Sequence, residues 1–335
     1  MKALVVVRHG ELEVREIAPP EPAANEALVR IEACGLCGTT DRHLIEGRQA
    51  HHPAEAYPAV LGHESVGTVV AVGPEVEKFR VGDRVTRPVA IWPGTQRDGL
   101  WSAWGGFAEF GVVREAGDSP DYTAARQHVV PPGLSLEEAV LAVSVSEVAS
   151  WMEKLGDLRG KNLLIGGSGF AAAVMCQCAR AAGAAAILVA GRHPEKLARM
   201  TANGATHTLS WGENLGEDVR KICGGADWFL DAAGHQAVFE AGLRCLRPGG
   251  QAAIYGAPEG FAYRLPLGSV GGDFSVHYLA PNDDTFFAET CQRLAEGRLN
   301  AGLLHTHTWQ GLEAGVQAVA DQEAGRVLKG MIRLG

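Results

Sequence analysis

The sequence has no apolar run long enough to cross a membrane and no excess of positive charge. A membrane-spanning helix needs about 20 consecutive apolar residues. The chain carries 30 Lys and Arg against 39 Asp and Glu, a formal net charge of -9. Such a balance disfavours a general attraction to nucleic acid or to an anionic membrane surface. The first residues, MKALVVVRHGELEV, are typical of a strand pair and not of a signal peptide. We therefore expect a cytoplasmic protein whose partners are small molecules.

Cysteine is scarce and odd in number, with seven residues in a chain of 335. In a reducing cytosol such cysteines are typical of thiols or metal ligands and not of a disulfide framework. The length suits two domains, each large enough to bury its own apolar interior. Neither disulfides nor metals are therefore needed merely to hold the chain folded.

Strand-sized apolar runs dominate the first 145 residues. The runs ALVRIEA (27–33), VGTVVAV (66–72) and AEFGVV (108–113) are cut by Gly, Pro and Asp turns, which predicts an antiparallel β domain. From residue 161 strand-like and helix-like segments alternate, which is typical of a doubly wound parallel sheet in an α/β protein. We expect the tail to return to the first domain. The predicted division is 1–145 with 282–335 for the β domain, and 146–281 for the parallel-sheet domain.

A glycine-rich turn opens the second domain. Gly167, Gly169 and Ala172 fit the pattern G-x-G-x-x-A between a buried strand and a helix. The helix N-terminus offers N–H donors to a pyrophosphate. A turn that binds no nucleotide is the alternative, which the strand and helix on either side disfavour. The residues assigned to a nicotinamide dinucleotide are Gly167, Ser168, Gly169, Phe170 and Ala171.

No acidic residue follows the second strand of that domain. After AILVA (186–190) the chain continues Gly191-Arg192-His193, where an NAD site usually places Asp or Glu against the ribose 2′-hydroxyl. Arg192 suits a 2′-phosphate instead, so NADP is favoured over NAD. The alternative is an ordinary surface arginine.

Two short motifs in the first domain carry metal-ligand residue types. CGLCGTTDRH (34–43) contains Cys37, and VLGHESVG (60–67) contains His63 and Glu64. A cysteine, a histidine and a carboxylate beside a dinucleotide domain are the ligand types of an open catalytic zinc site. A His-Glu pair beside a strand is also common as a satisfied polar pair, so these motifs alone leave both interpretations open.

With FRVGDRV (79–85), GGFAEF (105–110) and the glycine-rich turn, these motifs make nearly the whole chain resemble the zinc-dependent medium-chain alcohol/polyol dehydrogenases. The resemblance implies a GroES-like β catalytic domain with a Rossmann domain inserted in it. It also implies one catalytic zinc per chain bound by Cys37 and His63, with Glu64 as a direct ligand or next to the metal. Cys34 is expected to be a buried strand residue.

Two departures from the family pattern concern metal. The family often carries four closely spaced cysteines after GDRV for a structural zinc, whereas 86–107 contains none, so we expect no structural zinc. The remaining catalytic ligand of the family falls on Val143, which cannot bind metal. Glu147, one helical turn later, is the nearest carboxylate. It is a candidate for zinc, for contact with nicotinamide and substrate, or for an ordinary helix acid.

A third departure is the doubled threonine in CGTTDRH. The resemblance implies that a hydroxyl accepts the proton of the alcohol and that a histidine passes it on through the cofactor ribose. Thr39 is the default relay residue, Thr40 is the second candidate, and His43 is the histidine. Asp41 is expected to support the histidine ligand from behind.

The implied reaction is reversible oxidation of a secondary alcohol to a ketone by NAD(P). The segment that replaces the structural-zinc lobe mixes aromatic and charged residues, which suits a sugar, polyol, cyclitol or aminosugar. A Trp-rich loop packed on its own domain or on a neighbouring subunit is the alternative. The residues of this predicted substrate wall are Trp92, Arg97, Asp98, Trp101, Trp104, Phe107 and Glu109.

Two other functions compete with this interpretation: a zinc-free NADPH-dependent quinone or enone reductase, and a catalytically silent NAD(P)-binding protein. The ligand residues Cys37, His63 and Glu64 argue against the first, while Val143 at a ligand position keeps the second open. The pairs His51-His52 and His305-x-His307 have no third ligand in view, so we expect them to face solvent or to end strands. The protein is expected to assemble as a homodimer or homotetramer.

Overall fold

The computed structural model describes residues 1–48, 52, 55–115, 121–256, 262–265 and 267–335. Contacts divide the chain into two compact units. The first unit consists of Met1–Ser144, Phe287–Ala295 and His305–Gly335, and the second of Val145–Phe286 and Glu296–Leu304. The domain boundaries expected from the sequence, at residues 145 and 281, stay a prediction beside this grouping.

The strands fall into two groups along the chain, one on either side of residue 145. In chain order they are β1 (Lys2–Arg8), β2 (Glu11–Glu16), β3 (Glu26–Leu36), β4 (Ala59–Val60), β5 (Glu64–Val72), β6 (Arg84–Thr86), β7 (Gln96–Arg97), β8 (Leu100–Ser102), β9 (Phe110–Arg114), β10 (Asn162–Gly166), β11 (Ala186–Gly191), β12 (His207–Ser210), β13 (Ala226–Asp231), β14 (Leu246–Ile254), β15 (Phe274–Tyr278), β16 (His307–Gln310) and β17 (Gly330–Arg333).

The helices lie mainly between the later strands. In chain order they are α1 (Thr40–Ile45), α2 (Tyr122–Ala125), α3 (Leu136–Glu153), α4 (Phe170–Ala181), α5 (Pro194–Ala202), α6 (Leu215–Cys223), α7 (Gln236–Leu243), α8 (Asp283–Ala295), α9 (Ala301–Leu304) and α10 (Gly315–Glu323). In the described parts of the chain, no helix is both long enough and apolar enough to cross a membrane.

The first unit contains two sheets. One has the order β2-β1-β4-β8-β7, and the other has the order β16-β17-β3-β5-β6, with β9 also paired to β3. Most of these pairs are antiparallel, as the sequence predicts, whereas β4 with β8 and β16 with β17 are parallel. The predicted antiparallel GroES-like domain is therefore confirmed, with two parallel pairs that the strand pattern did not reveal.

The register of β3 brings three strand ends together. Gly35 pairs with Glu64 at the start of β5, and Leu36 pairs with Gly330 at the start of β17. Because β3 is antiparallel to both neighbours, its carboxyl end and the amino ends of the other two strands lie at one edge of the sheet. This edge positions the site described below.

The core beneath that edge is apolar. The side chains of Cys34, Leu36, Leu44 and Phe107 belong to one buried cluster and are at most 2% exposed. Burying one large apolar side chain stabilises the fold by about 1.5–3 kcal/mol. The cluster therefore anchors the end of β3 and the short helix α1, and Cys34 is a buried strand residue as expected.

The second unit contains a six-stranded sheet in the order β12-β11-β10-β13-β14-β15 within the described residues. Every neighbouring pair in it is parallel, which confirms the doubly wound prediction. Leu164, Leu188 and Phe229 of the sheet pack with Phe239 and Leu243 of α7. Apolar helix faces cover the sheet in this way because parallel strands are buried on both sides.

Candidate active site

The turn after β3 positions a cysteine and an aspartate. Cys37 follows the last residue of β3, and α1 begins at Thr40. The Cys37 N–H donates to Oδ2 of Asp41 at 2.8 Å, and the Thr40 N–H lies 3.4 Å from the Cys37 Sγ. Asp41 is 1% exposed. The sulfur is thus held between the strand end and the first turn of the helix.

His63, which precedes β5, and Glu64, its first residue, reach the same place. The His63 Nδ1 lies 3.3 Å from Oδ1 of Asp41, and its Nε2 lies 3.9 Å from Oε1 of Glu64. A carboxylate on one ring nitrogen favours the tautomer that leaves the other nitrogen free to bind a metal. Asp41 therefore stands where the sequence placed the residue that supports the histidine.

Close approach of Glu64 to β3 requires a glycine there. A Cβ atom on Gly35 would lie 2.4 Å from Oε2 of Glu64. Any other residue at position 35 would displace the carboxylate. The glycine of the C-G-L-C segment therefore serves the site by leaving space, while Cys37 and not Cys34 faces it.

The ligand atoms of Cys37, His63 and Glu64 all lie within 4.8 Å of one another. Among the described residues, a search for three or more Cys, His, Asp or Glu side chains close enough to share a metal ion finds these three. Thiolate, imidazole and carboxylate are the donors that zinc accepts, at about 2.0–2.3 Å each. A small inward movement of the three side chains is enough to surround one ion.

Unsatisfied buried atoms support the same fit. Oδ1 of Asp41 and Nδ1 of His63 are buried and face each other at 3.3 Å without a hydrogen bond of good geometry among the described residues, and Oε2 of Glu64 is buried beside the Lys329 ammonium. Buried polar atoms without such a partner are costly. A cation bound by His63 and Glu64 would draw these atoms into satisfied contacts, so the donor set fits zinc.

Burial and charge act in opposite directions on the ionisable groups. Burial raises the pKa of the Cys37 thiol, but the hydrogen bond and charge of His63 outweigh it and hold that pKa below its ordinary value. Burial lowers the pKa of His63, but Asp41 and Cys37 raise it well above its usual range. Without a metal, these two directions favour a protonated His63 beside an ionised Cys37 sulfur.

Lys329 is a residue of this site that the sequence did not suggest. It precedes β17, is 4% exposed, and its Nζ donates to Oε1 of Glu64 at 2.6 Å. Burial alone would raise the pKa of Glu64, but the charges of Lys329 and His63 lower it overall. The signal was faint: a single lysine inside the apolar tail RVLKGMIRL.

The predicted relay residues lie on or next to α1. Thr39 is exposed, whereas Thr40 and His43 are half-buried. The His43 N–H donates to the Thr39 carbonyl at 2.9 Å. Burial and then the charges of Arg48 and Arg42 lower the pKa of the His43 imidazole. Within the described residues neither hydroxyl donates to His43, so the structure brings these groups to one helix turn without linking them.

Glu147 lies on the part of α3 that belongs to the second unit. Its Oε1 accepts a hydrogen bond from the Tyr255 hydroxyl at 3.3 Å. Val143, at the ligand position of the family pattern, is 2% exposed and packed in the apolar interior. Glu147 is not a member of the three-residue group described above, and its ligation of zinc stays a prediction.

The glycine-rich turn connects β10 to α4. Gly167 has φ +121°, and a Cβ on Gly169 would meet no atom of the described residues within 4 Å. Open space at Gly169, directly before the first turn of a 12-residue helix, is where a pyrophosphate would approach the helix N-terminus. Ser168, Phe170 and Ala171 are half-exposed around it. Arg192 is exposed beyond the end of β11.

The predicted substrate wall divides into residues held by their own domain and one residue beside the metal-ligand group. The Arg114 guanidinium stacks 3.7 Å from the Trp92 ring, Arg97 donates to the Ala18 carbonyl, and Phe107 is fully buried. The ring of Trp104 lies 5.4 Å from that of His63.

Three other residues of the predicted substrate wall are fixed by the backbone of their own domain. Trp101 lies in β8, Asp98 has φ +52° in the turn before that strand, and Oε2 of Glu109 accepts from the Lys2 N–H. Packing within the domain therefore accounts for much of this segment. Trp104 is the member that contacts a candidate ligand.

The two histidine pairs do not form ligand groups in the described residues. Nε2 of His52 lies 2.7 Å from the Ala56 carbonyl, and Nε2 of His305 lies 2.8 Å from the Thr308 hydroxyl. The ring of His307 stacks on Trp309. His51 lies outside the described residues.

Known families and structures match both units. The family described as "Alcohol dehydrogenase GroES-like domain" matches residues 23–120, and the family described as "Zinc-binding dehydrogenase" matches residues 172–271. The matched ranges contain Cys37, His63 and Glu64 in the first case and Arg192 in the second.

Among curated proteins, the chain is 30% identical over 298 residues to a sorbitol dehydrogenase of Bacillus subtilis, covering 84% of this chain and 80% of that protein. It is 27% identical over 343 residues to an L-threonine 3-dehydrogenase of Pyrococcus abyssi, covering 95% and 93%. Among solved structures, an alcohol dehydrogenase zinc-binding domain protein from Burkholderia ambifaria superposes with a TM-score of 0.83 at 26% identity, over 100% of this chain and 98% of that one.

Proposed function

The chain belongs to the zinc-type medium-chain alcohol and polyol dehydrogenases, and from that premise we propose that it oxidises a secondary alcohol to a ketone at Cys37, His63 and Glu64. The observation that supports the proposal most strongly is the grouping of these three donors at one edge of the sheet. Zinc, when bound there, supplies a Lewis acid that eases loss of the alcohol proton. The nicotinamide cofactor, when bound, accepts the hydride.

The residues of the chain hold the metal and move one proton. Asp41 orients His63, and the lowered pKa of the Cys37 thiol favours the thiolate that a metal ion binds. Thr39 and Thr40 are the candidate acceptors for the alcohol proton, and His43 would pass it on toward solvent. Thr40 is the more enclosed of the two and its backbone N–H lies 3.4 Å from the Cys37 sulfur, so we propose Thr40 as the acceptor.

We propose NADP as the preferred cofactor and one zinc ion per chain. Arg192 supports NADP because it follows β11 at the position that faces the adenosine ribose in such folds. The open space at Gly169 supports binding of the pyrophosphate. Glu147 is retained as a candidate fourth ligand or as a neighbour of the nicotinamide ring.

We propose a sugar, polyol, cyclitol or aminosugar as the substrate class. A sorbitol dehydrogenase among the relatives supports a polyol, and Trp104 beside His63 supports a substrate with CH faces for an aromatic ring to cover. An assembly of two or four chains is proposed as well. Exposed Tyr278 on β15, an edge strand of its sheet, supports it.

The decisive experiment combines metal analysis with a substrate panel. We expect about one zinc per purified chain, and reduction of NADP faster than NAD with at least one polyol or cyclitol, followed by nicotinamide absorbance. Two zinc ions per chain, or none after purification without chelator, would contradict the site. Reduction of quinones or enones by NADPH without zinc would instead identify a reductase.

A variant separates catalysis from cofactor binding. Cys37→Ser removes the thiolate, and we expect loss of zinc and at least about a thousandfold lower turnover while the affinity for NADPH is kept. Fluorescence of bound NADPH measures that affinity. Cys178→Ser, a buried helix cysteine of the second unit, is the matched control and should retain zinc and turnover. Equal turnover in Cys37→Ser and wild type would refute the mechanism.

A further inference from the structure

Glu64 is held by a buried lysine from the far end of the chain. Lys329 and Glu64 are separated by 265 positions in sequence, and their side chains are 5% and 4% exposed. The Lys329 ammonium donates to Oε1 and also contacts Oε2. A lysine is almost never buried to this degree unless it is paired. Its position is set by Gly330, whose pairing with Leu36 brings the residue before β17 to the metal-ligand edge.

The ion pair changes the charge of the site. Cys37 as thiolate, Asp41 and Glu64 are three negative groups, and Lys329 is one positive group facing them. The Arg87 guanidinium, which donates to the His63 carbonyl at 3.2 Å, is a second positive group at this edge. Without Lys329 the same site would be more negative by one charge, which makes a bound divalent cation a weaker Lewis acid.

The lysine and the metal share one carboxylate. Oε1 of Glu64 is the oxygen that lies 3.9 Å from Nε2 of His63 and also 2.6 Å from the Lys329 Nζ. An oxygen engaged by an ammonium is a poorer metal donor than a free one, because the same electron pairs face both cations. The strength of the contact between Lys329 and Glu64 therefore sets how much of Glu64 is available to the metal.

We propose that Lys329 is a positioning residue that restrains Glu64, so that zinc is held by Cys37 and His63 with Glu64 as a weakened third donor, while a coordination position stays open for substrate. The proposal rests on the proposed function, in which these residues bind zinc. Lys329 thereby weakens zinc binding and permits faster turnover. Loss of the lysine would release Glu64 to the metal, tighten binding and block the open position.

The test is Lys329→Met, which keeps the length of the side chain and removes its charge. We expect zinc to bind roughly tenfold or more tightly, in competition with a chromogenic chelator. Loss of a residue that supports a metal ligand usually weakens binding about 10–100-fold, and the opposite sign is expected here because Lys329 competes with the metal for Glu64. Turnover should fall by at least a similar factor. The visible spectrum of the cobalt-substituted protein should shift, because an added carboxylate ligand changes the coordination. A merely structural lysine would instead weaken both zinc binding and turnover.

Controls separate the restraint of Glu64 from other effects. Lys221→Met, at an exposed ion pair on α6, should leave zinc affinity and turnover unchanged. Lys329→Arg should restore values near wild type, because it keeps the charge and a donor. In a Glu64→Gln background, Lys329→Met should no longer tighten zinc. An equal gain in both backgrounds would show that Lys329 acts as a free charge, and would overturn the proposal.

Failure of the inference is distinct from failure of the proposed function. If the wild-type protein binds no zinc, the proposed function fails. If wild type binds zinc and Lys329→Met binds it no more tightly, the role of Lys329 fails while the proposed function stands. If Lys329→Met does not fold, Lys329→Gln replaces it, because glutamine keeps a neutral donor to Glu64. We expect Lys329→Gln to bind zinc more tightly than wild type, by a smaller factor than Lys329→Met. Unchanged zinc affinity in Lys329→Gln would refute the proposal.

Discussion

At the scale of single residues, the doubled threonine separates into two environments. Thr39 is exposed and its side chain makes no capping hydrogen bond at the start of α1, whereas Thr40 is half-buried beside the Cys37 sulfur. A proton relay needs a hydroxyl that can reach both the reacting oxygen and the next acceptor. Thr40 is the residue whose backbone lies next to a candidate metal ligand, and His43 follows within one turn of α1.

We expect Thr40→Ala to lower kcat by about 100-fold or more and Thr39→Ala to change it by less than about threefold. Loss of a positioned acid–base group has an effect of this size, whereas removal of an exposed methyl and hydroxyl does not. Steady-state kinetics at equal zinc content gives the comparison. Thr40→Ser should retain most of the activity. The reverse ranking of the two alanine variants would assign the relay to Thr39.

The buried carboxyl of Asp231 allows a prediction about how the stability of the protein depends on pH. It is fully buried at the end of β13, where Oδ1 accepts from the N–H groups of Ala233 and Gly234 and Oδ2 accepts from the Tyr263 hydroxyl. Burial raises the pKa of the Asp231 carboxyl, although these hydrogen bonds act in the opposite direction. The folded state therefore favours the protonated form, and stability is lost as the pH rises through the folded pKa.

Asp231→Asn should remove that loss while keeping the acceptor for both backbone groups. We expect the free energy of unfolding of the variant to exceed that of wild type by on the order of 1 kcal/mol at pH 7.5, with a smaller difference near pH 4, close to the unfolded pKa of about 3.9. Urea unfolding at the two pH values measures both differences. A difference that grows as the pH falls would show that the ionised carboxyl stabilises the fold.

Those residues of the candidate site that stand in short local motifs were predictable from the sequence. Cys37, His63 and Glu64 stand in two short motifs, and the antiparallel pairing of β3 with β5 brings them together. Lys329 could not be found in this way. Its place depends on the register of β17 against β3, and one lysine in an apolar tail does not specify which carboxylate it will meet.

At the scale of elements, the glycine-rich turn is the clearest test of the cofactor site. Gly169 precedes α4 at φ -94° with open space where a side chain would point. A larger residue there meets no protein atom among the described residues, so the fold itself tolerates it. The space that it would fill is the one that the pyrophosphate needs.

We expect Gly169→Val to weaken NADPH binding at least about tenfold while the melting temperature changes by only a few degrees. Gly212→Val is the matched control, since Gly212 is exposed and has equally open space and a backbone that is not left-handed. Titration of NADPH fluorescence gives both affinities. Equal affinities in the two variants would place the cofactor elsewhere.

The elements near this turn were easier to predict than those at the sheet edge. β10, α4 and β11 have apolar runs with glycine at the junctions, and the alternation of strand and helix predicted from residue 161 holds for them, with AILVA (186–190) inside β11. β12 and α6 were not predicted from the sequence. β12 is a four-residue edge strand with no fully buried residue, so it lacks the apolar run that marks a central strand.

At the scale of the whole molecule, one sheet edge carries exposed apolar side chains. β15 lies at the end of the six-stranded sheet, Tyr278 at its end is 79% exposed, and nearby in sequence Leu265 and Leu267 are 49% and 68% exposed. An unpaired edge strand is a template for pairing with another chain. Two copies related by a two-fold axis would present the same edge to each other.

We therefore expect the wild-type protein to sediment as a dimer or tetramer, and Tyr278→Lys to shift it toward smaller species, with a dissociation constant at least about tenfold higher. A charge on an apolar interface is costly because it must be desolvated without a partner. Val316→Lys, at an exposed apolar position of α10, is the control and should leave assembly unchanged. Analytical ultracentrifugation over a range of concentrations measures all three. If Tyr278→Lys assembles like wild type, the interface does not include the end of β15. If wild type is a monomer, the proposed assembly is wrong.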